Sequence, residues 1–121
     1  MSIQSIHDDY LGNMALTFKT SQTADVSNVA YIGQCGTIKW IKASTSTLQS
    51  FVKIFPKGSH VLYAESPNPK IMTCSVTDGS NLFSYEFAGL PNTYFTNRKS
   101  SVVIDDNDVL FAAMHNDDGA T

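Results

Sequence analysis

TSTLQSFVKIFPKGSHVLYAES, residues 45–66, decides the fold class of this chain. Leu48, Phe51, Val52 and Phe55 fall at helical spacing, with Ser46 placed to cap a first turn. The same residues also form one arm of a hairpin that turns at Pro56-Lys57-Gly58 and returns through His60 to Ala64. Phe51, Val52, Ile54 and Phe55 are β-formers, and only Leu48 and Gln49 favour helix strongly. The spacing therefore predicts a strand over 48–55 paired with another over 60–64, with at most one helical turn near Thr47 to Ser50.

The neighbouring segments agree, and foldable sequences are consistent across levels. Met14, Leu16 and Phe18 alternate with Ala15, Thr17 and Lys19, as in a half-buried strand. Asn28 to Ile32 is a short apolar run that GQCG (33–36) breaks or bulges. Thr37 to Ala43 alternates again, which puts Ile38 and Trp40 on one face and Lys39 and Ile41 on the other. Ile71 to Val76 and Leu82 to Phe87 flank TDGSN, where Asp78-Gly79 supplies the positive φ of a tight hairpin. On the second of these, Phe83, Tyr85 and Phe87 share a face opposite Ser84 and Glu86. Val102 to Ile104 and Val109 to Met114 flank DDND, a turn of residues that tolerate the left-handed region. Turn signals about every ten residues predict an all-β fold, an antiparallel sandwich, jelly roll or small barrel of about eight or nine strands with little or no helix.

At 121 residues the chain is one domain, read here as residues 14–114 between an N-terminal arm, 1–13, and a C-terminal tail, 115–121. Ile3, Ile6, Tyr10 and Leu11 lie in the arm without strand periodicity and mark it as a possible assembly arm. Its removal is expected to leave the domain folded and to weaken assembly. Only 16% of residues are charged, and 14 Ser, 11 Thr and 8 Asn make much of the polar surface neutral, which suits strands and turns. A net charge of −3 lacks the basic face that phosphate backbones require, so no nucleic acid is expected as partner. No apolar run reaches the ~20 residues that span a bilayer, and no basic segment followed by an apolar one marks a cleavable leader. Cys35 and Cys74 are too few for a disulfide scaffold, and Trp40 and Met72 sit at the wrong spacings for an immunoglobulin pair. Free thiols and manufacture in a cytoplasm follow.

Catalytic signatures are missing. His7, His60 and His115 have no GxSxG-type nucleophile setting, and Cys35 has no neighbouring base or cation to activate it. His7-Asp8-Asp9, His115 with Asp117 and Asp118, and DDND (105–108) carry metal-ligating atoms, but at none of the spacings that gather ligands into one shell. No enzyme, no metal and no cofactor are expected. Two weaker features point to contacts. AGLPNTYFTNRKS (88–100) is longer than an ordinary hairpin connection. It places Tyr94 and Phe95 beside Asn92, Asn97, Arg98 and Lys99, the aromatic, amide and Arg mixture that contact surfaces favour. Charge is also segregated. Lys39, Lys42, Lys53 and Lys57 lie in a stretch without acids, and Asp105, Asp106, Asp108, Asp117 and Asp118 in one without bases. Two copies meeting through these regions would make a heterologous contact.

These features lead to a non-enzymatic assembly protein of a virus particle, a bacteriophage capsid-decorating (cement) or tail-associated β-domain. Its expected partners are further copies of itself and a larger protein shell or tail, and its location is the virion. The alternative is a cytoplasmic, lectin-like sandwich in which Trp40 or Tyr94 stacks on a sugar. Both rest on analogy at the level of fold class.

Overall fold

The structure, a computed structural model, describes residues 1–21, 27–44, 51–65, 70–87, 93–95, 102–112 and 114–116. These form twelve strands, all antiparallel: β1 (Ser2–Asp8), β2 (Met14–Lys19), β3 (Asn28–Ile32), β4 (Ile38–Ala43), β5 (Phe51–Ile54), β6 (His60–Glu65), β7 (Lys70–Ser75), β8 (Asn81–Glu86), β9 (Thr93–Phe95), β10 (Val102–Ile104), β11 (Leu110–Ala112) and β12 (Met114–Asn116). The first four make one meander, β1-β2-β3-β4, and the next four a second, β5-β6-β7-β8. β10 pairs with β11, and β9 with β12.

The 45–66 stretch is a hairpin. β5 pairs with β6 from Phe51 opposite Ala64 to Ile54 opposite Val61. Gly58, at φ 70°, donates its N–H to Phe55 O and closes the turn. Residues 45–50, with the candidate helical turn, lie outside the described residues. A helical reading fails because β6 needs partners on both its faces. Val61 and Tyr63 point into a core shared with Ala15, Val29, Tyr31 and Trp40 of the first sheet. Leu62 and Ala64 point the other way, joining Ile71 against Phe55, Phe87, Ile104 and Leu110. The β10–β11 hairpin thus forms a third layer, and the four consecutive apolar residues of β6 are each at most 2% exposed.

The arm expected over residues 1–13 is in fact a strand and a turn. β1 pairs with β2, with a bulge at Gln4 between Ile3 and Ser5. The extra residue resets the parity, so Ile3 and Ile6 share a face although three positions apart. That bulge is why no alternation is visible in the sequence. β1 also seals the sandwich on one side: Val52 N–H donates to Ser5 Oγ (3.2 Å) and Ile54 N–H to His7 Nδ1 (2.9 Å). On the other side Trp40 Nε1 donates to Val76 O (3.0 Å), and Lys42 Nζ donates to Gly79 O (2.9 Å) and Asn81 Oδ1 (2.5 Å).

The count exceeds the expected eight or nine for physical reasons. β1 was hidden by its bulge, β9 lies in the segment taken as a loop, and the run after Val109 divides between β11 and β12, which pair with different strands. Two local expectations also change. GQCG is a tight 3-10 turn, Gln34–Gly36, with Cys35 at φ 63° and Gly36 at φ 76°. Lys39 is skipped in the β3–β4 register, which runs from Tyr31 opposite Trp40 to Ile32 opposite Ile38. Ile38 and Trp40 therefore lie on opposite faces, Ile38 exposed and Trp40 buried.

Candidate interaction surfaces

With Ala15, Val29, Tyr31 and Trp40 turned inward, the outer face of the first sheet is fixed by register. Its rows read Ile3–Phe18–Asn28–Ala43, Ile6–Leu16–Ala30–Ile41 and Asp8–Met14–Ile32–Ile38. Only Asn28 and Asp8 are polar. Leu16 and Ala30, in the middle, are buried, while Ile3, Ile6, Ile38 and Ile41 are 40–59% exposed. Four strands ~4.8 Å apart and about five residues long span on the order of 300–400 Å², within the range of patches that mark contact sites on soluble proteins.

The 9–13 turn extends one end of the face. Asp9 Oδ1 accepts the N–H of Leu11 (2.8 Å) and of Asn13 (3.1 Å), and Asp9 Oδ2 accepts Asn13 Nδ2 (2.7 Å). Burial raises the Asp9 carboxyl, but these donors outweigh it and hold the group below the usual range. The closed turn holds Tyr10 at φ 61°, with its ring 90% exposed. A large side chain fixed in the left-handed region and presented to water is a costly arrangement, typical of positions under functional constraint. All four residues singled out in the N-terminal segment, Ile3, Ile6, Tyr10 and Leu11, are exposed.

A second surface lies between β8 and the β10–β11 hairpin. An open groove of about 370 Å³ is lined by Phe55, His60, Leu62, Ile71, Thr73, Phe83, Tyr85, Asp108 and Leu110. Phe83 and Tyr85 are more than half exposed, and Tyr85 meets Phe87 edge to face at 4.8 Å. Sequence reading placed these rings on one face but not at an edge. Among the described residues β8 ends its sheet, which no local pattern announces.

A third space of about 410 Å³ sits at the β1–β5 seam, lined by His7, Asp8, Asp9, Tyr10, Lys53, Pro56 and Val103 among others. Burial lowers the His7 pKa, helped by the Lys53 charge and opposed by Asp8 and Asp9. His7 Nδ1 already accepts a backbone N–H, so that nitrogen serves structure and not a nucleophile. His60 Nδ1 lies 2.6 Å from Ser59 Oγ and packs on Phe55. No group of three or more His, Cys, Asp or Glu able to hold a metal occurs among the described residues. Asp105 Oδ1 instead closes its own turn, accepting the N–H of Asn107 (2.8 Å) and Val109 (2.9 Å). Cys35 is exposed and Cys74 buried, both free; burial pushes the Cys74 thiol up to about 11, too high for a nucleophile.

The long-loop residues are only partly placed. Tyr94 and Phe95 lie in β9, opposite His115 and Met114, while Asn92, Asn97, Arg98 and Lys99 lie outside the described residues, as do Asp117 and Asp118. Trp40 is removed from any sugar-stacking role: it is 9% exposed, stacked on Tyr31 at 6.0 Å and bonded to Val76 O. Comparison with protein-family models, with curated proteins and with solved structures gives no match to this chain.

Proposed function

We propose that this chain is a non-enzymatic assembly subunit that works through protein–protein contacts on the outside of its sheets. The setting we propose is a virus particle, as a capsid-decorating or tail-associated β-domain of a bacteriophage. The carrying observation is the outer face of the first sheet, apolar at ten of its twelve register positions, with four isoleucines open to water. Such a face lowers the free energy of a complex by leaving water, at roughly 25 cal/mol per Å² of apolar surface covered. A subunit held at many lattice points needs only modest affinity at each. The particle setting is supported by composition and fold class alone.

The test uses Ile6→Glu and Ile41→Glu, at the two ends of the central row. Both side chains are 40–52% exposed, so the variants should fold normally. Each should abolish co-sedimentation with purified shells or tails to which the parent chain binds. Retained binding in both would overturn the assembly reading. A second reading, carbohydrate binding, is favoured by the exposed Phe83 and Tyr85 rings beside His60 and Asp108. A glycan panel on which the chain selects one sugar, and loses it with Tyr85→Ala, would establish that reading instead.

A further inference from the structure

The four outer edges of the two main sheets are treated differently by the sequence, and one is left open. An unprotected edge strand presents a row of unpaired N–H and C=O groups, which natural proteins blunt with bulges, lysines, prolines or a covering segment. β1 carries the bulge at Gln4. β4 carries the Lys39 irregularity, with Lys42 beyond it. β5 is capped by Ser5 and His7. β8 has no Pro and no Lys, and among the described residues it pairs with β7 alone. All six of its residues are exposed, and its single irregularity, at Leu82, falls beside the turn. Phe83 O faces Thr73 Oγ1 on β7 (3.4 Å), so the alternating backbone leaves the N–H and C=O of Ser84 and Glu86 pointing away from the sheet.

We propose that β8 pairs antiparallel with β8 of a second copy, centred on Ser84, joining two four-stranded sheets into one of eight strands about a two-fold axis. The sequence of β8 is self-complementary in this register. On the groove side, Phe83 falls opposite Tyr85 of the second copy, twice, as cross-strand aromatic pairs. On the core side, Glu86 falls opposite Leu82 of the second copy, next to the Asn81 amide that already holds Lys42 Nζ. Each carboxylate thus lands beside a cation. Shifting the centre to Tyr85 brings the two Glu86 carboxylates toward each other and away from Lys42, and a shift by one residue would set opposite faces against each other. The two-fold contact is isologous and closes at a dimer.

The inference deepens the assembly reading by naming one contact, and its test separates the two. Sedimentation of the full chain should show the mass doubling as concentration rises, with the dimer weakened several-fold by added salt and by Glu86→Gln. Ser84→Pro deletes an outward N–H at an edge, where Pro is tolerated, and should leave a folded monomer by circular dichroism. In a Cys35→Ser background, Ser84→Cys places two thiols on Cα atoms ~5.5 Å apart, within disulfide range, and should give an oxidised dimer. Ordinary monomer at all soluble concentrations overturns the inference. So does a dimer that survives Ser84→Pro but falls with Ile41→Glu; that result moves self-contact to the apolar face and leaves the assembly reading standing. Loss of the dimer in Ser84→Pro with shell binding retained supports the β8 contact and confines it to self-association.

Discussion

The His7 side chain is expected to make the closure of the sandwich depend on pH. Ile54 is 3% exposed, and its N–H at the edge of β5 is satisfied by His7 Nδ1 at 2.9 Å. An imidazolium has no lone pair to offer there, so protonation removes the acceptor. Leaving a buried donor unpaired costs about 1–3 kcal/mol, and because the adjoining space can admit water the lower end applies, ~1 kcal/mol. The sign follows from the direction of the pKa shift. Burial first, then the Lys53 charge, lower His7 from 6.5 in the folded state, against the opposing pull of Asp8 and Asp9. The unfolded chain therefore binds the proton more readily below pH 6.5. The bond's contribution is fully present above that pH and is lost as pH falls through the lower folded value.

The informative substitution is His7→Asn, whose amide oxygen can accept the same N–H and does not titrate. Urea unfolding should give parent and His7→Asn chains of similar stability at neutral pH, and a parent weaker by ~1 kcal/mol well below pH 6, equivalent to a melting difference of about 4 °C. His7→Ala should be weaker by a similar amount at neutral pH. A parent-minus-Asn difference that stays constant across the pH range would refute this role for Nδ1, because every other titrating group is common to both chains.

Trp40→Ala should cost about 3–5 kcal/mol in denaturant unfolding. Trp40→Phe, which keeps a ring but orphans Val76 O, should cost closer to 1–2 kcal/mol; equal losses would mean that the indole N–H bond contributes nothing. Gly79→Ala should lower the melting temperature clearly, since Gly79 sits at φ 74° and an added Cβ would come 2.8 Å from the Trp40 ring; an unchanged transition would place the ring elsewhere. Deleting residues 1–8 removes a strand paired with β2 and two acceptors from β5, so the truncated chain should lose several kcal/mol or fail to fold, whereas near-parental stability would return these residues to the status of a free arm.

What the sequence made legible was whatever rested on unbroken period two. The period of β2 and β8, the unbroken apolar run of β6, and the turns at Gly58 and Gly79 can be read directly, but not which face turns inward. Ala15 and Thr17 of β2 are buried while Met14, Leu16 and Phe18 lie on the outer face, and all of β8 is exposed. The misreadings sit at bulges. One inserted residue at Gln4 hid a strand, and one at Lys39 reversed the face of Ile38. Since a bulge moves every later side chain to the other face, the apolar outer surface of the first sheet could not be assembled before the register was known. Tyr94 and Phe95 were singled out for composition, yet Phe83 and Tyr85 line the groove. Nothing local distinguishes a core aromatic from an edge aromatic, because exposure depends on which strand ends the sheet.

The β1–β5 seam and the β8 edge lie at opposite ends of the second sheet, which couples the two devices. With β5 sealed by Ser5 and His7, that sheet has one open edge among the described residues, and pairing through β8 closes at two copies. If acid opens the seam, β5 becomes a second open edge, and a unit with two open edges adds further units without closure. Lys53 on β5 places a charge on that edge and works against such addition, so growth should be slow. The expected outcome is light scattering that rises over time well below pH 6 in the parent chain, less in His7→Asn, and not at all in Ser84→Pro, whose growing end is blocked at β8. Scattering of equal rate in all three would show that acid aggregation proceeds through some other surface, with the apolar face of the first sheet the first to examine by Ile41→Glu.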